Sequence, residues 1–249
     1  MTGKNNLHSG PDVYQKRMWR VVENGDDHVT FLLHSPDGDQ GYPGALDMKV
    51  TYTLDEENGL TIHYEAVPDQ DTVINMTNHS YFNLNGHKSG SVLHHRMQLL
   101  SDAFTPADAQ SIPTGEVCSV DGTPMDFRST KELGAEIDAA YEPLILGNGY
   151  DHNWVLKNEG RFDKVAEVTG DESGIVMEVW TDRPGVQVYT ANFLENEAGR
   201  NGAVYQKRDA VCLETQNYPD AVHQKNFPEA ICKKGETYDT KTAYRFHIE

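Results

Sequence analysis

The sequence predicts a large antiparallel β-sandwich, or a barrel of the same class. Three observations carry this: apolar and polar residues alternate in short runs, turn residues separate the runs, and helical periodicity is nearly absent. Met48, Val50, Tyr52 and Leu54 share one face of a run, with Lys49, Thr51 and Thr53 on the other. Leu60, Ile62 and Tyr64 resume the pattern after Asp55-Glu56-Glu57-Asn58-Gly59, whose Asn-Gly pair marks a hairpin. Lys164 to Thr169 and Gly174 to Thr181 form a second such pair around Gly170-Asp171-Glu172-Ser173. Val73–Met76, Met97–Leu100, Trp154–Leu156, Val186–Thr190, Val211–Thr215 and Thr242–Ile248 supply further strands.

One short helix is expected. Ser129-Thr130-Lys131-Glu132 has the spacing of a capping box, and Leu133, Ile137 and Ala140 follow at helical intervals. Gly134 weakens it and Pro143 is expected to end it. No βαβ alternation, linker or internal repeat is visible, so residues 1–249 read as one domain.

The chain carries 21 Lys+Arg against 39 Asp+Glu, a formal charge of −18, with 37% hydrophobic residues. That composition supports a sizeable core in a soluble globular chain. Its charge disfavours nucleic acid and anionic membranes and is indifferent to a neutral small molecule. No apolar run reaches the ~18 residues of a membrane span, and Met1 to Asn6 has no leader-like apolar stretch. Cys118, Cys212 and Cys232 form no CxxC pair, and such thiols fit a reduced, cytoplasmic protein.

Four segments concentrate polar chemistry. Thr77-Asn78-His79-Ser80-Tyr81-Phe82-Asn83-Leu84-Asn85-Gly86 packs an imidazole, amides and aromatics together, as a concave polar site or an Asn-held turn would. Gly149-Tyr150-Asp151-His152-Asn153-Trp154 places a carboxylate beside a His and aromatics. A carboxylate accepts paired sugar hydroxyls and an aromatic face covers C–H surface, although an Asx turn opening a strand has the same residues. Val211 to Pro219 carries Glu214 in an apolar-rich strand, for burial at a site or on a solvent face beside Gln216. Asn5-Asn6-Leu7-His8-Ser9-Gly10 adds one more His. Eleven histidines invite a metal reading, but no HExxH or His/Cys quartet occurs and His94-His95 point to opposite faces of a strand. GxSxG, P-loop and GxGxxG patterns are also absent.

In order, NNLHSG with Trp19, TNHSYFNLNG, GYDHNWVL, PGVQVYTANFL and LETQNYPDAVHQKNFP resemble the aldose 1-epimerase, or galactose mutarotase, family from Asn5 almost to the C-terminus. The resemblance implies a galactose mutarotase-like β-sandwich and cofactor-free interconversion of the α- and β-anomers of free hexoses. It implies His79 as general acid and Glu214 as general base. His8, Tyr81, Asp151 and Gln187 are implied as sugar-binding residues. A hemiacetal opens when the C1 hydroxyl loses a proton and the ring oxygen gains one, so one base and one acid suffice. His79 is expected to be protonated opposite an ionised Glu214, with mutual attraction raising the His.

The family carries strands and an Asn-Arg-Ile segment upstream of NNLHxG, whose Arg contacts the sugar. Here no Asn-Arg pair exists, so the chain is expected to lack that N-terminal portion. A non-catalytic, truncated sugar-binding member is the alternative reading. A hexose-6-phosphate epimerase would need a basic phosphate pocket, and the four polar segments contain no Lys or Arg.

Overall fold

The computed structural model describes residues 5–249; Met1–Lys4, part of the stretch read as lacking a leader, lie outside the described residues. Two antiparallel sheets dominate. The larger runs, in spatial order, through Arg20–Asn24, His28–Ser35, Leu46–Leu54, Gly59–Pro68, Tyr238–Ile248, Ile175–Thr181, Asp163–Thr169, Arg96–Leu99 and Lys131–Glu132. The smaller runs through Cys212–Gln216, Gly185–Tyr189, Asp151–Val155, Ala103–Thr105 and Cys118–Ser119. One continuous apolar cluster joins them: Met48, Ile62 and Met177 from the larger sheet meet Trp154, Val188 and Leu213 from the smaller.

Both expected hairpins form. Leu54 pairs with Leu60, and Asn58 takes φ 61° in the turn between them. The strand Asp163–Thr169 pairs with Ile175–Thr181 through Thr169 and Val176. Met48, Ile62 and Tyr64 are buried, as their shared-face spacing requires, whereas Tyr52 and Leu54 emerge toward solvent. Arg20–Asn24, exposed along its whole length, forms one edge of the larger sheet and has a register shift between Val21 and Glu23.

The helix lies elsewhere than expected. Lys131–Glu132 pairs with Arg96–Met97 as a short edge strand, and Leu133 and Ile137 are buried from turns. The helix is Glu142–Gly147, and Pro143 stands in its first turn. Proline's missing N–H costs nothing there, so it opens this helix instead of ending one.

The expected strand Val73–Met76 is shortened to Thr72–Val73, which pairs with Ile231–Cys232. Beyond it, side chains replace the backbone ladder. Asn75 Oδ1 accepts from the Asn217 N–H at 2.8 Å, while Asn75 Nδ2 donates to the Asn217 carbonyl at 3.2 Å. The Met76 N–H donates to Tyr238 Oη at 3.1 Å. The fully buried Tyr244 hydroxyl lies 3.0 Å from both Asn78 Oδ1 and the Leu213 carbonyl, the two groups it can serve as a donor. It therefore joins the residue before His79 to the residue before Glu214.

Replacing Tyr244 by Phe keeps the ring and removes this bridge, leaving buried acceptors unserved. The expected loss is ~1–3 kcal/mol, at ~2–4 °C of melting temperature per kcal/mol for a chain of this size. Paired thermal melts check it; an unchanged melting temperature would show the bridge to be dispensable.

Candidate functional site

The smaller sheet has one core face and one polar face. Leu213, Val186, Val188 and Trp154 point into the core. Alternation sends the intervening residues the other way. Register then aligns Glu214 with Gln187 and Gln187 with Asn153, and Asn153 with Thr105 on the next strand. Two residues along, Cys212, Tyr189 and Asp151 make a parallel row. Four strands distant in sequence thus share one polar surface.

The TNHSYFNLNG segment runs beside the Glu214 strand. Phe82 and Val211 exchange both backbone hydrogen bonds at 2.9 Å. Three residues on in opposite directions, His79 Nε2 faces Glu214 Oε1 at 3.6 Å. The Tyr81 ring stacks on His79 at 4.9 Å between centroids, while Tyr189 at 5.8 Å and His8 at 5.4 Å meet it edge-on. Among the described residues His79 Nδ1 is buried without a hydrogen-bond partner, and ring contacts, not a second carboxylate, orient this imidazole. His8 arrives on a tight loop in which His8, Ser9 and Gly10 all have positive φ.

The later half of the segment is scaffold. Asn83 Nδ2 donates to the Gly90 and Asp209 carbonyls, and Asn85 Oδ1 accepts from the Glu172 and Ser173 N–H groups. The candidate site and an Asn-held turn, alternatives in the sequence, thus occupy successive parts of one segment.

Asp151 Oδ1 accepts from Gln187 Nε2 at 2.8 Å, and the buried Gln187 Oε1 has no partner among the described residues. A narrow groove continues from these two residues past Asn153, Thr105 and Pro219. His8, His79, Tyr81, Asp151, Gln187 and Glu214 are therefore gathered about one polar surface, reached from three strands and two loops. The aromatic surface differs from expectation. Tyr150 and Trp154 are fully buried, donating to the Pro124 and Met125 carbonyls, because strand alternation turns Trp154 into the core. The exposed aromatic face is that of Tyr81, with Tyr189 behind it. Tyr189 and Asn153 were missed as site residues; each lies two positions from an expected one, on the same strand face.

The charge states also differ from expectation. Burial pushes the Glu214 carboxyl up to about 8, and the nearby Asp151 charge pushes in the same direction. Burial and His8 hold His79 below its ordinary value. Burial raises Asp151 despite the Gln187 hydrogen bond. Attraction within the pair does not win because both partners are desolvated and each neighbours a group of its own sign. Both shifts favour the arrangement with the shared proton on Glu214, opposite a neutral imidazole.

A model of the aldose 1-epimerase family matches residues 1–245, and the chain belongs to that family. It is 45% identical to the galactose mutarotase of Bos taurus, with 99% of this chain covering 70% of that protein. It is 38% identical to the aldose 1-epimerase of Escherichia coli K12, with coverage of 99% and 72%. An aldose epimerase homologue from C. elegans superposes with a TM-score of 0.88 at 29% identity, covering 98% of this chain and 72% of that one. The galactose 1-epimerase of Lactobacillus acidophilus superposes at 0.84 and 27% identity, with coverage of 99% and 71%. The fold is thus the galactose mutarotase-like sandwich. No helix among the described residues is long and apolar enough to cross a membrane.

The raised Glu214 value has a consequence for stability. Between its ordinary 4.5 and about 8, the folded chain keeps a proton that the unfolded chain has lost, so Glu214 removes stability as pH rises through that window. Glu214→Gln does not titrate. Its melting temperature relative to the parent should therefore climb from pH 5 to pH 8, and a difference that stays flat with pH would contradict the burial of this carboxyl.

Proposed function

We propose that this protein interconverts the α- and β-anomers of free hexoses, glucose or galactose, without a cofactor. The observation that carries the reading is the desolvated His79–Glu214 pair, 3.6 Å apart beside a polar sheet face. The family and the names of the relatives supply the reaction class; the pair supplies an acid and a base for it.

The pair holds one proton in either of two arrangements: carboxylic acid with imidazole, or carboxylate with imidazolium. The second is the productive one. Glu214 takes the proton of the C1 hydroxyl while His79 delivers one to the ring oxygen, and the C1–O5 bond opens to the aldehyde. Rotation about C1–C2 presents the other carbonyl face. Closure then proceeds with the roles reversed, so protons and electrons balance without any external reagent. Asp151 and Gln187, already joined to each other, offer acceptors to hydroxyls away from C1. His8 reaches the anomeric region, and Tyr81 covers the sugar while fixing the His79 ring. A cytoplasmic setting and a place in hexose metabolism belong to this reading, as does the treatment of residues 1–249 as one unit.

Fresh α-glucose or α-galactose followed by polarimetry should reach anomeric equilibrium faster with the protein than without it, and equally fast with a chelator present. Glu214→Gln and His79→Asn should each lower kcat by ~10²-fold or more, the scale of a positioned acid or base. Asp151→Asn should act mainly on KM. Near-parental turnover in Glu214→Gln would reject the base assignment, and sugar binding without turnover in the parent would mark a non-catalytic member.

The pH profile follows from the proton count. Activity needs one proton on the pair, so kcat/KM should fall above pH of about 8, where Glu214 would have lost it. It should also fall on the acid side, where His79 takes a second proton. A profile rising steadily through pH 9 would exclude a shared-proton pair.

A further inference from the structure

Gly149, Thr190 and Asn192 lie in the site segments and have no part in the mechanism above. All three converge on Arg208, which belongs to none of those segments. Arg208 is 7% exposed, and among the described residues no carboxylate lies within ion-pair distance of it. Its guanidinium is held by neutral acceptors. Nη1 donates to Thr190 Oγ1 at 2.9 Å and to Asn192 Oδ1, and Nη2 donates to the Asn148 carbonyl at 2.8 Å.

These acceptors close the two loops that bound the Asp151 end of the sheet. Asn192 Nδ2 donates to the Gly147 carbonyl at 2.7 Å and to the Tyr150 carbonyl at 2.9 Å. The Thr190 N–H donates to the Tyr150 carbonyl at 3.1 Å. Gly149, at φ 127°, lies against the guanidinium so closely that a side chain there would strike it. Asp151 and Tyr189, the paired residues at this end, each adjoin a member of the network: Tyr150 precedes Asp151, and Thr190 follows Tyr189. Arg208 itself has a positive φ of 73°, and its backbone is tied at both ends, its N–H to the Ala191 carbonyl and its carbonyl to the Val92 N–H.

A buried cation is a poor choice for stability alone. Apolar residues of similar volume often serve as well or better, whereas planar donors fix several acceptors in one geometry. We propose that Arg208 is a positioning residue for sugar binding, holding Asp151 and Tyr189 in register from the end of the sheet. It touches no reacting atom. The proposal rests on the assignment of Asp151 as a sugar ligand, and its effect should pass through that residue.

The test is a double-mutant cycle in mutarotation kinetics on the full chain. Arg208→Met should raise the hexose KM roughly tenfold, since small displacements of positioning groups have effects of this order, while kcat changes much less. In an Asp151→Asn background the same substitution should add little, because residues acting together are non-additive. Thr190→Val, which removes one acceptor and leaves the cation, should raise KM in the same direction by a smaller factor. It carries the cycle if Arg208→Met does not fold. Unchanged KM in folded variants, or KM effects that multiply independently of Asp151→Asn, would overturn the proposal and leave the catalytic reading intact. An Asp151→Asn variant with parental KM would overturn the Asp151 assignment and this proposal together.

Discussion

The backbone exchange between Phe82 and Val211 sets the geometry of the site. Antiparallel chains keep opposed residues in step, so fixing one pair fixes those three positions away. His79 and Glu214 are such a pair, although residues 78–81 form no strand. The loop is thus guided by strand register without the strand's ladder. This frees its polar groups to face the site, and the Tyr244 hydroxyl and the Asn75 amide hold it in the ladder's place.

The chemistry of the pair is set by what surrounds it. Two partners of opposite sign in water would form an ion pair of little consequence. Here His8 adjoins the His and Asp151 lies close enough to the Glu to raise it, so neither ionises readily. The two tautomers of the pair differ by one proton position and no net charge. A neutral sugar entering between them would meet a pair that is neutral overall, able to give and take at adjacent oxygens. The stability removed by Glu214 at high pH is then a property of the same burial that makes its proton movable.

How much of this was legible in the sequence depends on the range of the interaction. Strand alternation is local, so Met48, Ile62 and Tyr64 were placed correctly from spacing alone. The helix was misplaced because Ser129 to Glu132 satisfies a capping pattern, whereas pairing of Lys131–Glu132 with Arg96–Met97 is not visible locally. The six expected site residues came from the resemblance of their segments, and the structure brings them together. Their protonation was not legible, since desolvation depends on what the fold packs around each group. Arg208 was invisible for the same reason: its side-chain partners lie 16, 18 and 60 residues away.

The edge strand Arg20–Asn24 bears on how molecules of this protein treat one another. A straight border strand offers its free amides and carbonyls to any passing chain, and Val21 and Val22 give this one the residue types that favour such growth. The shift between Val21 and Glu23 breaks that border in its middle. An extra residue there twists the strand and puts successive donors out of phase with a would-be neighbour. One irregularity, beside Arg20 and Glu23, thus makes this margin a poor template for pairing with a further strand.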